Sequence, residues 1–171
     1  MVKIIGIDPG LASTGIAVVE GLGLSVAHYA FGSIETDPRD ALPERLRQIF
    51  DRISRIITEN RPDLIVVEDI FSLQKYPKSG ITLGKVTGVI LLAGCQAAVS
   101  IRQVAVREAK QVLTGSGNAG KAQLEACVRN RLNHPEPISP SHASDALALA
   151  LVGLYRCDPR MMIPISPPEA I

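Results

Sequence analysis

The first pattern along the chain is a β-branched, apolar run at 2–8 (VKIIGID), stopped by Pro9 and Gly10, which predicts a strand. TGIAVVE at 14–20 predicts a second strand and 24–34 a third, so the three form an antiparallel meander. The period then changes. Leu42, Leu46, Ile49, Phe50, Ile53 and Ile57 recur at helical spacing, with Arg45, Arg47, Asp51, Arg52 and Arg55 largely off that stripe, and Pro62 marks the exit. LIVV at 64–67 is continuously apolar, the signature of a strand covered on both faces. A helix at about 80–98, a short strand near 102–106 (RQVAV) and helices at about 107–113, 121–132 and 141–155 follow. Four prolines stand in the PRMMIPISPP segment beyond Arg156. The expectation is therefore a domain over 1–156 and a flexible C-terminal tail over 157–171. The predicted fold is α/β: a mixed five-stranded sheet, an antiparallel three-strand meander plus two parallel strands, with helices on both faces.

Composition narrows the class. The chain has 171 residues, enough for one core, and 46% hydrophobic against 20% charged residues excludes a disordered chain. The opening MVKIIGID passes straight into a strand and has no signal-peptide pattern. The most apolar run, from Val86 to Val99, is interrupted by Thr87, Gly88, Gly94 and Gln96 and is too short to span a bilayer. Cys95, Cys127 and Cys157 fit no metal or disulfide spacing and read as reduced, mostly buried thiols. Together these predict a soluble cytoplasmic domain without a membrane partner.

Net charge is +1, but its distribution is uneven. Residues 1–74 carry 7 basic and 11 acidic side chains, residues 75–131 carry 9 and 2, and residues 132–171 carry 2 and 4. A basic middle of +7 between segments of −4 and −2 predicts a one-sided positive surface, the footprint of a polyanion partner.

A crossover from the first strand through the helix at 42–60 to the strand at 64–68 would be right-handed and parallel. If those strands are neighbours, Asp8 and Glu68 close them side by side, where α/β sheets bind ligands. Two converging buried carboxylates repel, and one stays protonated unless a cation lies between them. A hard divalent metal removes that conflict and leaves room for phosphate oxygens. SPSHASDALALAL adds His142 and Asp145 at i, i+3, on one face at the start of the last helix; a first-turn acid complementing the helix dipole is the plainer reading of Asp145. His28, in a predicted strand, and His134, in a Pro-flanked loop, read as structural.

GIDPGLASTGIAVVE, VVEDIF and SHASDALALAL, in that order, resemble the RuvC family of Holliday-junction resolvases, which has an RNase H-like fold. The resemblance covers residues 2–156 and includes AKQVLTGSGNAGKAQLEACV, similar to that family's basic segment. It implies that Asp8, Glu68 and Asp145 bind divalent metal, two Mg²⁺ about 3.5–4 Å apart with Mn²⁺ as a substitute. It also implies that Lys110 and Lys121 approach the scissile phosphate, and that Phe71 is inserted at the junction crossover. The familiar enterobacterial pattern has Asp where this chain has His142, whereas other RNase H-like nucleases carry His there. A neutral imidazole near a helix N-terminus and a metal can ligate or accept a proton from water.

The implied reaction is symmetric, paired hydrolysis of four-way junction DNA, leaving 5′-phosphate nicks, in recombination and repair. Implied partners are the RuvA and RuvB branch-migration proteins and a second copy of the chain. The helix over 79–98 fits a homodimer contact: Leu83, Val86, Val89, Ile90, Leu91 and Leu92 leave little polar face, and Gly84 and Gly88 allow close approach. Three other readings are a junction-binding protein without cleavage, a YqgF-like nuclease acting on another nucleic acid, and an actin-like ATPase half. The last lacks a second phosphate-binding domain. GSGNAGKA at 115–122 nearly matches a P-loop, but Ala122 replaces the hydroxyl needed for Mg²⁺ and a helix precedes it, so no nucleotide cofactor is expected.

Overall fold

The computed structural model describes residues 1–69 and 77–157. Elements run in the order β1 (Val2–Asp8), β2 (Ser13–Leu22), β3 (Ser25–Glu35), α1 (Leu42–Asn60), β4 (Leu64–Glu68), α2 (Pro77–Gln96), β5 (Ser100–Val104), α3 (Val106–Thr114), α4 (Lys121–Leu132) and α5 (Ser141–Arg156). The sheet order is β3-β2-β1-β4-β5; β3, β2 and β1 pair antiparallel, while β1, β4 and β5 are parallel. The predicted sheet is therefore present. Two of the boundary differences from the sequence reading have a local cause. β5 lies two residues earlier than RQVAV, because Ala105 already caps α3, and α2 ends at Gln96 ahead of Ala98, whose φ is 54°.

Strand alternation divides the apolar side chains between two layers. Val2, Ile4, Ala17, Val19, Leu64 and Val66 face α3, α4 and α5, whereas Ile5, Ile7, Ile16, Ile65 and Val67 face α1 and α2. Even-numbered residues of β1 and β4 thus share the α5 face. The register pairs Ile4 with Leu64 and Gly6 with Val66, so continuing it by two residues sets Asp8 beside Glu68 on that same face. The start of β1 is pinned: Lys3 N–H donates to Asp63 Oδ2 at 2.8 Å, and Asp63 N–H donates back to Lys3 O at 2.8 Å.

α5 is Ala-rich and lies unusually close to the sheet. A Cβ on Gly6 would stand 2.0 Å from Ala146 O, and one on Gly15 would stand 2.0 Å from His142 O. Gly15 pairs with Asp8 across β1 and β2, so this contact lowers the start of α5 directly onto the end of β1.

Against the length argument above, Ser79–Gln96 of α2 does have the length and mean hydropathy, 1.2, of a membrane span. Val86, Ile90 and Ala93 nevertheless pack into the layer with α1. The cysteines also differ from expectation: Cys95 is exposed, and Cys127 and Cys157 are only half-buried.

Candidate active site

Asp8, Glu68, His142 and Asp145 line one cleft of about 520 Å³, together with residues 9–13, Lys110 and Lys121. Asp8 and Glu68 come from adjacent strand ends, and His142 and Asp145 from the first turns of α5. The loop between β1 and β2 is braced from below. Thr14 Oγ1 donates to Gly10 O at 2.6 Å, and Thr36 Oγ1 donates to Leu11 O at 2.6 Å while accepting from Arg45 Nε at 2.8 Å. Nothing in the sequence pattern singled out Thr36 or Arg45, because Thr36 bonds a backbone carbonyl 25 residues away and Arg45 acts through the Thr36 hydroxyl.

Asp8 is buried, and His142 Nδ1 lies 2.6 Å from its Oδ2. Asp8 and Glu68 are also hydrogen-bonded to each other, which requires a shared proton. Burial, the Asp8–Glu68 contact and the charges of Asp8 and Asp145 push Glu68 up to about 8. Burial raises Asp8 to about 6 in spite of the bond from Glu68, with Asp145 adding to the rise and Lys121 opposing it. One of the two carboxyl groups therefore holds a proton. With Nδ1 committed to Asp8, the other ring nitrogen, Nε2, points away from that carboxylate.

Lys121 Nζ is 3.6 Å from Asp145 Oδ2. Lys121 opens α4, whose N-cap is Gly120 without any side-chain cap, so its charge stands at the unfavourable end of a helix dipole. Asp145 is not in the first turn of α5, which removes the dipole-complementing explanation for it. Lys110 reaches the same cleft from α3.

The remaining sequence assignments separate cleanly. Phe71 lies outside the described residues, as does the tail beyond Cys157. The segment 115–120 joins α3 to α4, so the near-P-loop does not follow a strand. His134 is structural: its Nδ1 is 2.8 Å from Tyr29 Oη and its ring stands edge-on to Tyr29 and Phe31. His28, in contrast, is exposed and lies across from Glu20 in the β2–β3 register, an acidic neighbour invisible in sequence.

Among the described residues no three His, Cys, Asp or Glu side chains stand in ready ligating positions. Asp8 is instead bonded on two sides, to Glu68 and to His142. The donor set itself suits a hard divalent cation: three carboxylates and an imidazole share a cleft, and burial holds two of the acids above their ordinary range.

The profile of the family "Crossover junction endodeoxyribonuclease RuvC" matches residues 4–153. A crossover junction endodeoxyribonuclease RuvC of Salinispora arenicola is 39% identical over 155 residues, 90% of this chain and 88% of that protein. Thermus thermophilus RuvC in complex with a Holliday junction substrate superposes with a TM-score of 0.84 at 30% identity, over 91% of this chain and 94% of that one. The yeast mitochondrial Holliday junction resolvase shares the fold at a TM-score of 0.58 and 10% identity, over 90% of this chain and 77% of that one.

Proposed function

The chain belongs to the RuvC family of crossover junction endodeoxyribonucleases, with its RNase H-like fold, and from that premise we propose that it resolves four-way DNA junctions by metal-dependent phosphodiester hydrolysis. The observation that carries this is the meeting of Asp8, Glu68, His142 and Asp145 with Lys110 and Lys121 in one cleft.

Asp8, Glu68, Asp145 and His142 are the side chains that would hold divalent metal, Mg²⁺ or Mn²⁺. Bound there, the metal would supply Lewis-acid stabilisation of phosphate charge and an acidified water. The residues supply the rest. Lys121 and Lys110 place positive charge where a phosphodiester oxygen would lie, with Lys121 held over the site by Asp145. His142 Nε2, freed by the Nδ1 bond to Asp8, carries the ring's one available lone pair, which serves either a metal or, where no metal takes it, a proton from attacking water. The expected products are 5′-phosphate nicks suited to ligation, in the service of recombination and repair in the cytoplasm.

Two matched cuts in a two-fold junction call for two sites, and α2 offers the surface for a C2 homodimer. Its outer face exposes Ile81 (62%) and Leu92 (51%), with the exposed Gly84 and Gly88 between them. RuvA and RuvB are the partners the family implies.

A labelled four-way junction, incubated with and without Mg²⁺ beside a linear duplex, tests the reading. Metal-dependent cutting of the junction alone supports it. Junction binding without cutting in Mg²⁺ or Mn²⁺ would leave a binding protein instead.

A further inference from the structure

Both ends of one exposed carboxamide are committed to the turn between α3 and α4. Gln111 Nε2 donates to Gly115 O at 2.8 Å, and Gly117 N–H donates to Gln111 Oε1 at 2.9 Å. Gly115 also donates its N–H to Gln111 O at 3.1 Å, as the left-handed C-cap of α3, with φ 79°. Gln111 thus holds residue 115 twice and residue 117 once.

Two further contacts tighten the same turn. Ser116 N–H donates to Thr114 Oγ1 at 3.2 Å. The Arg107 stem lies so near Gly117 that a Cβ there would stand 2.9 Å from Arg107 Cγ and 3.2 Å from Arg107 O.

A turn built this way has one evident output. It sets where Gly120 and Lys121 begin α4, and α4 supplies no side-chain cap or first-turn acid to favour a lysine there. Lys110, the residue immediately before Gln111, lines the same cleft as Lys121. The turn therefore fixes the spacing of two lysines carried on separate helices.

We propose that Gln111 is a positioning residue for the cleavage reaction, holding Lys121 at its reach over Asp145; this rests on the role given to Lys121 above. Gln111 does not touch substrate. It acts through the length and angle of residues 115–120. Only an amide serves, because one end must donate and the other accept. Glutamate keeps the size and the acceptor but sets a carboxylate against Gly115 O.

The test is a mutant cycle in the full-length protein, read by single-turnover cleavage of a four-way junction in Mg²⁺. Its members are Gln111→Ala, Gln111→Glu, Lys121→Ala and Gln111→Ala with Lys121→Ala. Both Gln111 variants should slow cleavage roughly 10- to 100-fold, since small displacements of a reacting group cost that much. In the Lys121→Ala background the added effect of Gln111→Ala should fall below about twofold, because coupled residues are not additive. Amide exchange at Gly117, which is independent of cleavage, should accelerate in Gln111→Ala, which loses the acceptor that Gln111→Glu keeps. Gln111 is exposed, so folding should survive each change.

Full-rate cleavage by Gln111→Ala beside a slow Lys121→Ala would overturn the inference and leave the lysine's role intact. Deficits that multiply in the double variant would overturn it as well. A fast Lys121→Ala would overturn the role of Lys121 itself, and this inference with it.

Discussion

The two faces of the sheet are packed by opposite means. On the α1 and α2 side, Ile5, Ile7, Ile49, Ile53, Ile57, Ile65 and Ile90 fill the space between layers with branched side chains. On the α5 side, glycine and alanine let helix backbone meet strand backbone, as at Gly6 with Ala146 and Gly15 with His142. Side-chain layers can relax by changing rotamers, whereas backbone against backbone leaves no freedom. The four residues proposed for the chemistry sit wholly on the second kind of face. Four groups from three elements must meet within ångströms, and only the tightly seated helix fixes His142 and Asp145 against Asp8 to that tolerance.

Substitutions at five positions probe this contrast, beginning with the most damaging to cleavage. Asp8→Asn should abolish cutting while leaving junction binding and folding in place, because the basic groups that favour DNA are untouched. Undiminished cleavage in Mg²⁺ would remove the acid from the site. His142→Ala should slow single-turnover cleavage about 10²–10⁴-fold. His142→Asp should retain more activity than Ala and alter the Mg²⁺ to Mn²⁺ preference; an Ala variant as fast as the parent would reduce His142 to a helix-end residue.

Gly15→Ala should lower stability by about 1–3 kcal/mol through overpacking. Its cleavage should fall by about 100-fold as well, because His142 is displaced. A variant that melts lower yet cuts normally would show that α5 tolerates a shift.

Glu68→Gln addresses the acids as a store of instability. Burial lifts Glu68 to about 8 and Asp8 to about 6, above the ordinary values of 4.5 and 3.8. The folded state therefore binds protons that the unfolded chain releases. That contribution is full below the ordinary values and is lost as pH rises through the folded ones. Without divalent metal, Tm should decline between about pH 4.5 and 8 more steeply in the parent than in Glu68→Gln. Parallel profiles would dissolve the shared-proton account.

The smallest change belongs to the other face. Ile53→Val should cost about 0.5–1.5 kcal/mol and leave the cleavage rate unaltered. If it slows cleavage as Gly15→Ala is expected to, the contrast between the faces fails.

Much of this was legible in the residues. The β-branched run of β1, stopped by Pro9 and Gly10, and the continuous run in β4 placed Asp8 and Glu68 at strand ends, and the i, i+3 spacing placed His142 and Asp145 together. Periodicity reports faces within one element. It does not report how near two elements come, so Gly15 looked like an ordinary strand residue. Gln111 looked like a solvated helix position, since its use depends on the left-handed Gly115 and on Gly117 four and six residues later. The two-residue offset of β5 has the same origin: RQVAV carries the right propensity, but pairing with β4 begins at Ser100.

The paired bonds between Lys3 and Asp63 make β1 a ruler with a fixed zero mark. Asp8 is the fifth residue beyond that mark, and both faces of the strand are greasy enough to accept a slipped copy. One residue inserted between them would leave the hydropathy of β1 almost unchanged yet deliver the aspartate to the isoleucine layer. Changes of chain length in this protein should therefore be tolerated at places that measure nothing, such as the exposed Leu22–Ser25 hairpin tip. A lineage could lengthen that tip freely, while the count from Lys3 to Asp8 is as much a part of the active site as the carboxylate at its end.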